Sequence, residues 1–201
     1  METFRQKLVV FFFKYLFWVV KVWYSITMFF TKQKVNMTEY TSVKEIAAAL
    51  HFGVRYKQDP LKGKFDIMYH PTKVQQNIDL GVSIGDCDDH AIYWVTSLLK
   101  NNLACKCWLG TIQYKETLSG HMFCIFQDVK GDYYWCDYNY PVKMDKLENW
   151  PSYVSILYGK TFLVGGTIEV KGLKADDTPI FGKTKTYLKC KFYGNNLDKK
   201  A

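Results

Sequence analysis

Gly85-Asp86-Cys87-Asp88-Asp89-His90-Ala91 is the stretch of this chain where a loop, a helix start and a reactive side chain coincide. Ala91, Trp94, Val95, Leu98 and Leu99 follow at the spacing of one helical face, and Cys87 extends that face into the first turn. Gly85 permits a sharp entry, and Asp86 is a residue type that caps first turns. A thiol placed there sits among free backbone N–H groups at the positive end of a helix dipole. Both favour thiolate, the form that attacks carbonyls. Asp88 and Asp89 pull the other way, so a cationic partner is required, and histidine is the usual one. The plain alternative for Cys87 is a buried structural thiol; the Gly-Asp before it and the Asp-Asp after it argue against a greasy site.

Four histidines are candidates for the base. His51 ends an amphipathic helix and reads as surface, and His70 precedes a proline in a loop. His90 lies on the nucleophile's own helix and could reach it only by local distortion. His121 begins a strand after a glycine, where a side chain can point into a cleft, and Asp137 on the next strand could orient it. The pairing carries a geometric condition. A two-residue hairpin loop at Lys130-Gly131 would put His121 and Asp137 on opposite faces. A three-residue loop, Val129-Lys130-Gly131, puts Asp137 opposite Phe123 and both candidates on one face. Glycine at the end of such a loop suits a left-handed bulge position. A satisfied strand histidine and a turn carboxylate are the plain alternatives for these two.

The elements that must position these residues follow from pattern. Ser42-Val-Lys-Glu45 has the form of a capping box, with Val43, Ile46, Ala47 and Leu50 on one helical face. Phe52 to Lys57 reads as a brief extended piece and Gln58 to His70 as loop. Pro71-Thr72 starts a helix with Val74 and Ile78 buried, ending by Gly81. The Cys87 helix runs to about Asn101. The period then changes to two: strands are expected at 103–113, 121–127 and 133–139, then 154–157, 162–164, 167–171 and 186–192, with Gly165-Gly166 turning a hairpin. Helices lead and an antiparallel sheet follows, so the fold class is α+β.

Before all of this stands an apolar segment, Leu8 to Phe30, long enough as a helix to cross a bilayer core of about 30 Å. It is too long for the apolar part of a signal peptide, and no small-residue cleavage site follows it. Lys14 and Lys21 interrupt it on one face, and lysine near the middle of a lone span costs about 2.5–3.5 kcal/mol. A transmembrane helix, a helix lying in the membrane interface and a helix buried against protein all fit the pattern. Division into an N-terminal helix (1–34) and a body (35–201) follows, with a polar linker at 31–40.

The net charge of +8 comes from 27 basic against 19 acidic residues, mostly scattered lysines with one C-terminal run, so a solvated basic surface fits better than nucleic-acid binding. Aromatics make up 17% of the chain, which points to a core packed with rings. The six cysteines carry no paired CxxC, which disfavours zinc and dithiol redox chemistry. Cys105 and Cys107 are expected on one strand face, and the thiols read as reduced. Asp86, Asp88 and Asp89 lack the every-other-residue spacing of a calcium loop. No cofactor and no metal are expected.

Gly-Asp-Cys-Asp-Asp-His-Ala at a helix start, then Trp-Leu-Gly, Gly-His-Met-Phe-Cys-Ile and Tyr-Trp-Cys-Asp-Tyr-Asn, together resemble the transglutaminase-like superfamily of papain-related folds. The resemblance is closest to the small bacterial and phage transglutaminase-like cysteine proteinases. It covers roughly Ser42 to Tyr140, with its core between Ile84 and Asn139. It implies a helix packed on an antiparallel sheet and a Cys-His-Asp triad on Cys87, His121 and Asp137. The expected activity is that of a thiol protease or amidase, a hydrolase or acyltransferase acting on peptide, protein or cell-wall amides. The backbone N–H of Cys87 would be one oxyanion donor, with Gln75 or Gln76 as a guess for another. The N-terminal helix has no counterpart in that core. The competing expectation is a non-catalytic binding module of this fold, anchored by Leu8–Phe30 in a membrane or a larger assembly such as a virion.

Overall fold

The structure, a computed structural model, describes residues 3–53, 67–82, 85–115, 119–138, 140–158 and 162–188. In chain order the elements are α1 (Phe4–Thr31), α2 (Val43–Gly53), α3 (Pro71–Asp79), α4 (Cys87–Lys100), β1 (Ala104–Tyr114), β2 (Gly120–Asp128), β3 (Tyr133–Asp137), β4 (Tyr140–Met144), α5 (Trp150–Tyr158), β5 (Phe162–Leu173) and β6 (Pro179–Leu188). The class is α+β. The strands form one antiparallel sheet in the order β4-β3-β2-β1-β5-β6.

Strand alternation gives the sheet two apolar faces. Cys107, Leu109, Met122, Cys124, Phe126, Cys136, Ile168 and Val170 pack with the helical layer around α4. Ile112, Tyr114, Phe123, Ile125 and Trp135 pack on the other side with Trp150 and Val154 of α5. An antiparallel sheet buried on both faces needs cover on both.

α4 is buried all round from Asp88 to Leu98, not along the single stripe its apolar spacing predicts. The sheet lies on one side of it and α2 and α3 on the other. Its polar residues are therefore buried too, Tyr93 within a hydrogen-bonded group. The Tyr93 hydroxyl donates to Gln75 Oε1 at 2.6 Å and lies 2.7 Å from the Tyr40 hydroxyl. Burial pushes Tyr93 well above the ordinary phenol range.

At α2 the Ser42 hydroxyl accepts from Glu45 N at 3.3 Å, while the Glu45 carboxylate reaches back to Thr41 N at 2.8 Å. The capping box thus closes one residue earlier than its usual form. His70 caps α3, accepting from Thr72 N at 3.2 Å, with Pro71 at the first helical position. The polar stretch 31–40 is pinned to the body: Met37 and Tyr40 are buried, and Thr38 N and Tyr40 N donate to Gln75 and Asn101.

Several expectations of the sequence fail. Residues 154–157 belong to helix α5, not to a strand. Gly165-Gly166 turns no hairpin; both glycines lie inside the continuous strand β5, opposite Ile112 and Thr111. The reason is packing: a Cβ on Gly165 would meet the Trp150 ring at 2.7 Å and the Thr111 carbonyl at 3.1 Å. Cys105 and Cys107 do not share a face, because a bulge between Ala104 and Lys106 turns Cys105 out while Cys107 is buried. The extended piece expected at 52–57 is helical at Phe52 and Gly53; its remainder, residues 58–66 of the expected loop and 189–192 of the expected last strand lie outside the described residues.

α1 is bent. Among the described residues no single helix is long and apolar enough to cross a membrane; the arms Phe4–Phe13 and Trp18–Thr31 meet at 68° and reach that composition only together. The segment holds neither proline nor glycine, the usual local causes of a kink. Tertiary contacts hold the two arms instead. Gln6 donates to the Lys115 carbonyl at 3.3 Å, and Tyr24, Thr27 and Met28 are buried in the helical layer. Thr27 donates to the Met68 carbonyl, Thr31 accepts from His70 N, and Lys21 is spent on the Gly182 carbonyl at 3.1 Å. The opposite side of the second arm is apolar and open, with Trp18, Phe29 and Phe30 at 70%, 76% and 79% exposure.

Candidate functional site

The site begins at the entry to α4. Gly85 has φ +118°, and a Cβ there would overlap the Asp89 carboxylate. Only glycine meets both conditions. Asp89 is fully buried and accepts from Tyr69 N at 2.6 Å, which ties the first turn of α4 to the segment entering α3. Asp86 occupies the cap position with extended backbone, but its side chain makes no capping bond; its carbonyl accepts from His90 N at 3.2 Å. Cys87 is therefore the first residue of the helix, where backbone N–H groups lack helical acceptors.

The thiol is half-buried, and the Met122 amide donates to its sulfur at 3.4 Å. Met122 follows His121, so sulfur meets β2 at the residue beside the candidate base. This point lies just past the end of the β2–β3 ladder, which runs from Gln127 opposite Tyr133 to Cys124 opposite Cys136. That register is the one the three-residue connection requires. Asp128 N donates to the Asp132 carbonyl at 2.9 Å, Asp128 Oδ1 accepts from Lys130 N and Asp132 N, and Gly131 has φ +91°. A short polar loop thereby decides that His121 and Asp137 share a face.

They do more than share it. His121 Nε2 lies 2.7 Å from Asp137 Oδ2, with side-chain exposures of 9% and 5%. Charge-assisted hydrogen bonds in a nearly dry setting are strong and orienting. Directly after Asp137, Tyr138 adopts φ +50°, a left-handed conformation uncommon for a bulky residue. Trp94 of α4 holds it there, its indole N–H donating to the Tyr138 carbonyl at 2.7 Å. The Tyr138 ring lies between two imidazoles, 5.1 Å from His90 and 5.8 Å from His121.

Tyr114, at the end of β1, is a member of the site that pattern reading misses. Burial, then the charges of Asp137 and Cys87, push its phenol up to about 12. It is therefore a neutral O–H donor at ordinary pH, within electrostatic reach of both residues. An aromatic at a strand end is ordinary, so spacing carries no signal for it.

The other candidates are not joined to the His121–Asp137 pair. His51 is exposed. His70 is buried, bonded to Thr72 and Thr178, and burial lowers it to about 4. His90 is buried, and burial lowers it to about 4 despite the opposing influence of the Tyr138 backbone and Asp86. Gln75 is committed to Thr38, Tyr93 and Asp79, and Gln76 accepts from Lys73; no described hydrogen bond brings either to the thiol. Asn139, the last residue of the motif around Asp137, lies outside the described residues.

One group of metal-ligand type occurs among the described residues. The ligating atoms of Asp86, Cys87 and Asp88 lie within 4.8 Å of one another. The three are consecutive at a helix start, and the carboxylates there oppose a charge on sulfur, which a cationic partner would have to offset. No protein-family model matches the chain, and no curated protein shows significant similarity to it.

Proposed function

We propose that this protein is a thiol-dependent hydrolase or acyltransferase of amide bonds, with a transglutaminase-like, papain-related core. The observation that carries the reading is the buried 2.7 Å His121–Asp137 pair beside the strand residue whose amide touches the Cys87 sulfur. With Nε2–H donating to Asp137, the lone pair of His121 resides on Nδ1, the atom that takes the thiol proton. Asp137 fixes that tautomer and stabilises the imidazolium.

The thiolate of Cys87 attacks the amide carbon, and the carbonyl π pair moves to oxygen. The Cys87 N–H and the Tyr114 hydroxyl are the donors that suit that oxyanion. Collapse breaks the C–N bond, the amine leaves with the proton from His121, and a thioester remains. Water then gives the acid and free thiol; an amine gives transfer. The substrates expected are peptide, protein or cell-wall amides, and the chemistry requires no cofactor or metal.

Iodoacetamide labelling across a pH series tests this without a known substrate. Cys87 should alkylate faster than the exposed Cys105, well below the pH of an ordinary thiol, about 8.5. Cys87→Ala should remove that labelling and any amidase turnover while the circular dichroism spectrum is unchanged. Asp137→Asn should slow turnover by about 10²–10⁴. A Cys87 no more reactive than Cys105 ends the proposal.

The open apolar side of α1 supports a second role alongside the first, attachment to a membrane surface or a larger assembly. Trp18, Phe29 and Phe30 face outward there, and no acidic residue occurs from Phe4 to Thr38. Among the described residues Cys87, Cys105, Cys107, Cys124 and Cys136 form no disulfide, which fits a reducing setting.

A further inference from the structure

The bend of α1 has a product. Its two arms close over the sheet end that carries the thiol contact and leave a cavity of about 560 Å³ between them and β1–β2. Leu8, Phe12 and Phe13 line it from the first arm, Tyr24 from the second and Met122 from the sheet, with Arg5 as the single charged lining residue among the described residues. This is the size and apolar character of a small-molecule or side-chain pocket.

The connection to the chemistry is direct. Met122 lines the cavity, and its backbone amide is the group bonded to the Cys87 sulfur. Gly120 lines it too, so both neighbours of His121 form its wall. On β1, Thr111 and Gln113 complete that wall, on the same sheet face as Met122. Phe12 and Leu8 remain 47% and 42% exposed, so the mouth is open. A large apolar chamber whose wall includes the strand residue bonded to a nucleophile suits the group next to the scissile carbonyl.

We propose that this cavity is the substrate pocket of the Cys87 site, and that it takes a bulky apolar group, aromatic or alkyl, carried by the acyl donor. Arg5 directs the choice among such groups: a donor with a carboxylate at the far end of its apolar part is favoured, and one with an ammonium there is disfavoured. The N-terminal helix is then part of the substrate site, not only an appendage to it. The proposal rests on Cys87 being the nucleophile.

The test uses the full chain and a set of iodoacetamides: the parent reagent, N-hexyl and N-benzyl derivatives, and hexyl derivatives ending in carboxylate or ammonium. Alkylation rates at Cys87 are read by peptide mass spectrometry and divided by the rate of the same reagent at exposed Cys105. Hexyl and benzyl reagents should gain about 10-fold or more over the parent at Cys87. The carboxylate-ended reagent should exceed the ammonium-ended one, and Arg5→Ala should erase that difference. Leu8→Asp and Phe12→Ala, at half-exposed positions, should remove the gain.

A Cys87 that reacts faster than Cys105 but shows no preference for apolar reagents overturns the pocket and leaves the nucleophile standing. A preference that survives both Leu8→Asp and Phe12→Ala also overturns it, since the group must then bind elsewhere. A Cys87 no faster than Cys105 with any reagent removes both readings together.

Discussion

Replacing Gly85 with alanine should cost far more than an ordinary glycine substitution, because two independent costs fall on one methyl group. The first is conformational: φ +118° is foreign to residues with a Cβ and costs about 1–3 kcal/mol. The second is displacement of the Asp89 carboxylate, whose Oδ1 accepts from Tyr69 N at 2.6 Å inside the core. A buried charged acceptor pushed off its donor costs about 1–3 kcal/mol more. The sum, about 2–6 kcal/mol, is a large part of the 5–15 kcal/mol typical of a domain.

Gly81 supplies the control. Its φ is +64°, and a Cβ there meets nothing within 4 Å, so Gly81→Ala should show the conformational cost alone, about 1 kcal/mol. Urea unfolding followed by tryptophan fluorescence measures both. In an Asp89→Ala background the excess at Gly85 should shrink by about 1–3 kcal/mol, as expected of residues in contact. Equal costs at the two glycines, or an excess that persists without the Asp89 carboxylate, would refute the reasoning.

Stability should also fall with acidity between about pH 6.5 and 4. His70 and His90 titrate near 4 in the folded protein against an ordinary 6.5, so the unfolded chain binds more protons across that window and stability rises with pH through it. Each imidazole contributes at most about 3 kcal/mol, fully present above pH 6.5 and lost by pH 4; His90→Phe should reduce the slope of unfolding free energy against pH, and an unchanged slope would count against it. Trp94→Phe should cost about 2–3 kcal/mol, because it strips the Tyr138 carbonyl of its 2.7 Å donor and leaves a void. It should also slow Cys87 alkylation, since Tyr138 adjoins Asp137; a stability within about 0.5 kcal/mol of the parent would contradict the role given to the indole.

Much of the site was legible because it depends on short-range rules. Gly85 before Asp86-Cys87 announced a helix start, and Gly131 after Val129-Lys130 suited the odd loop, one of two the sequence left open, that sets the β2–β3 register. What escaped the sequence depends on distant partners. Gly165-Gly166 has the composition of a turn, and only the Trp150 ring packed over it explains why it is strand. The stretch 154–157 alternates like a strand but lies in a helix whose Trp150 and Val154 cover the far sheet face. α4 reads as amphipathic because Asp89 and Tyr93 are polar; that Tyr69, Gln75 and Tyr40 wait to receive them is a tertiary fact. Tyr114 belongs to the site only through the proximity of Cys87 and Asp137.

Cys124 stands directly opposite Cys136 with Cys107 on the neighbouring strand, all three buried among rings and aliphatic groups. Burial drives Cys107 and Cys124 far from their ionised forms, so alkylating reagents and peroxide find no anion to attack while the sheet is closed. The protein therefore contains its own clock. Any modification at these positions dates a moment when the central strands parted, and its rate reads the frequency of such openings without an added label.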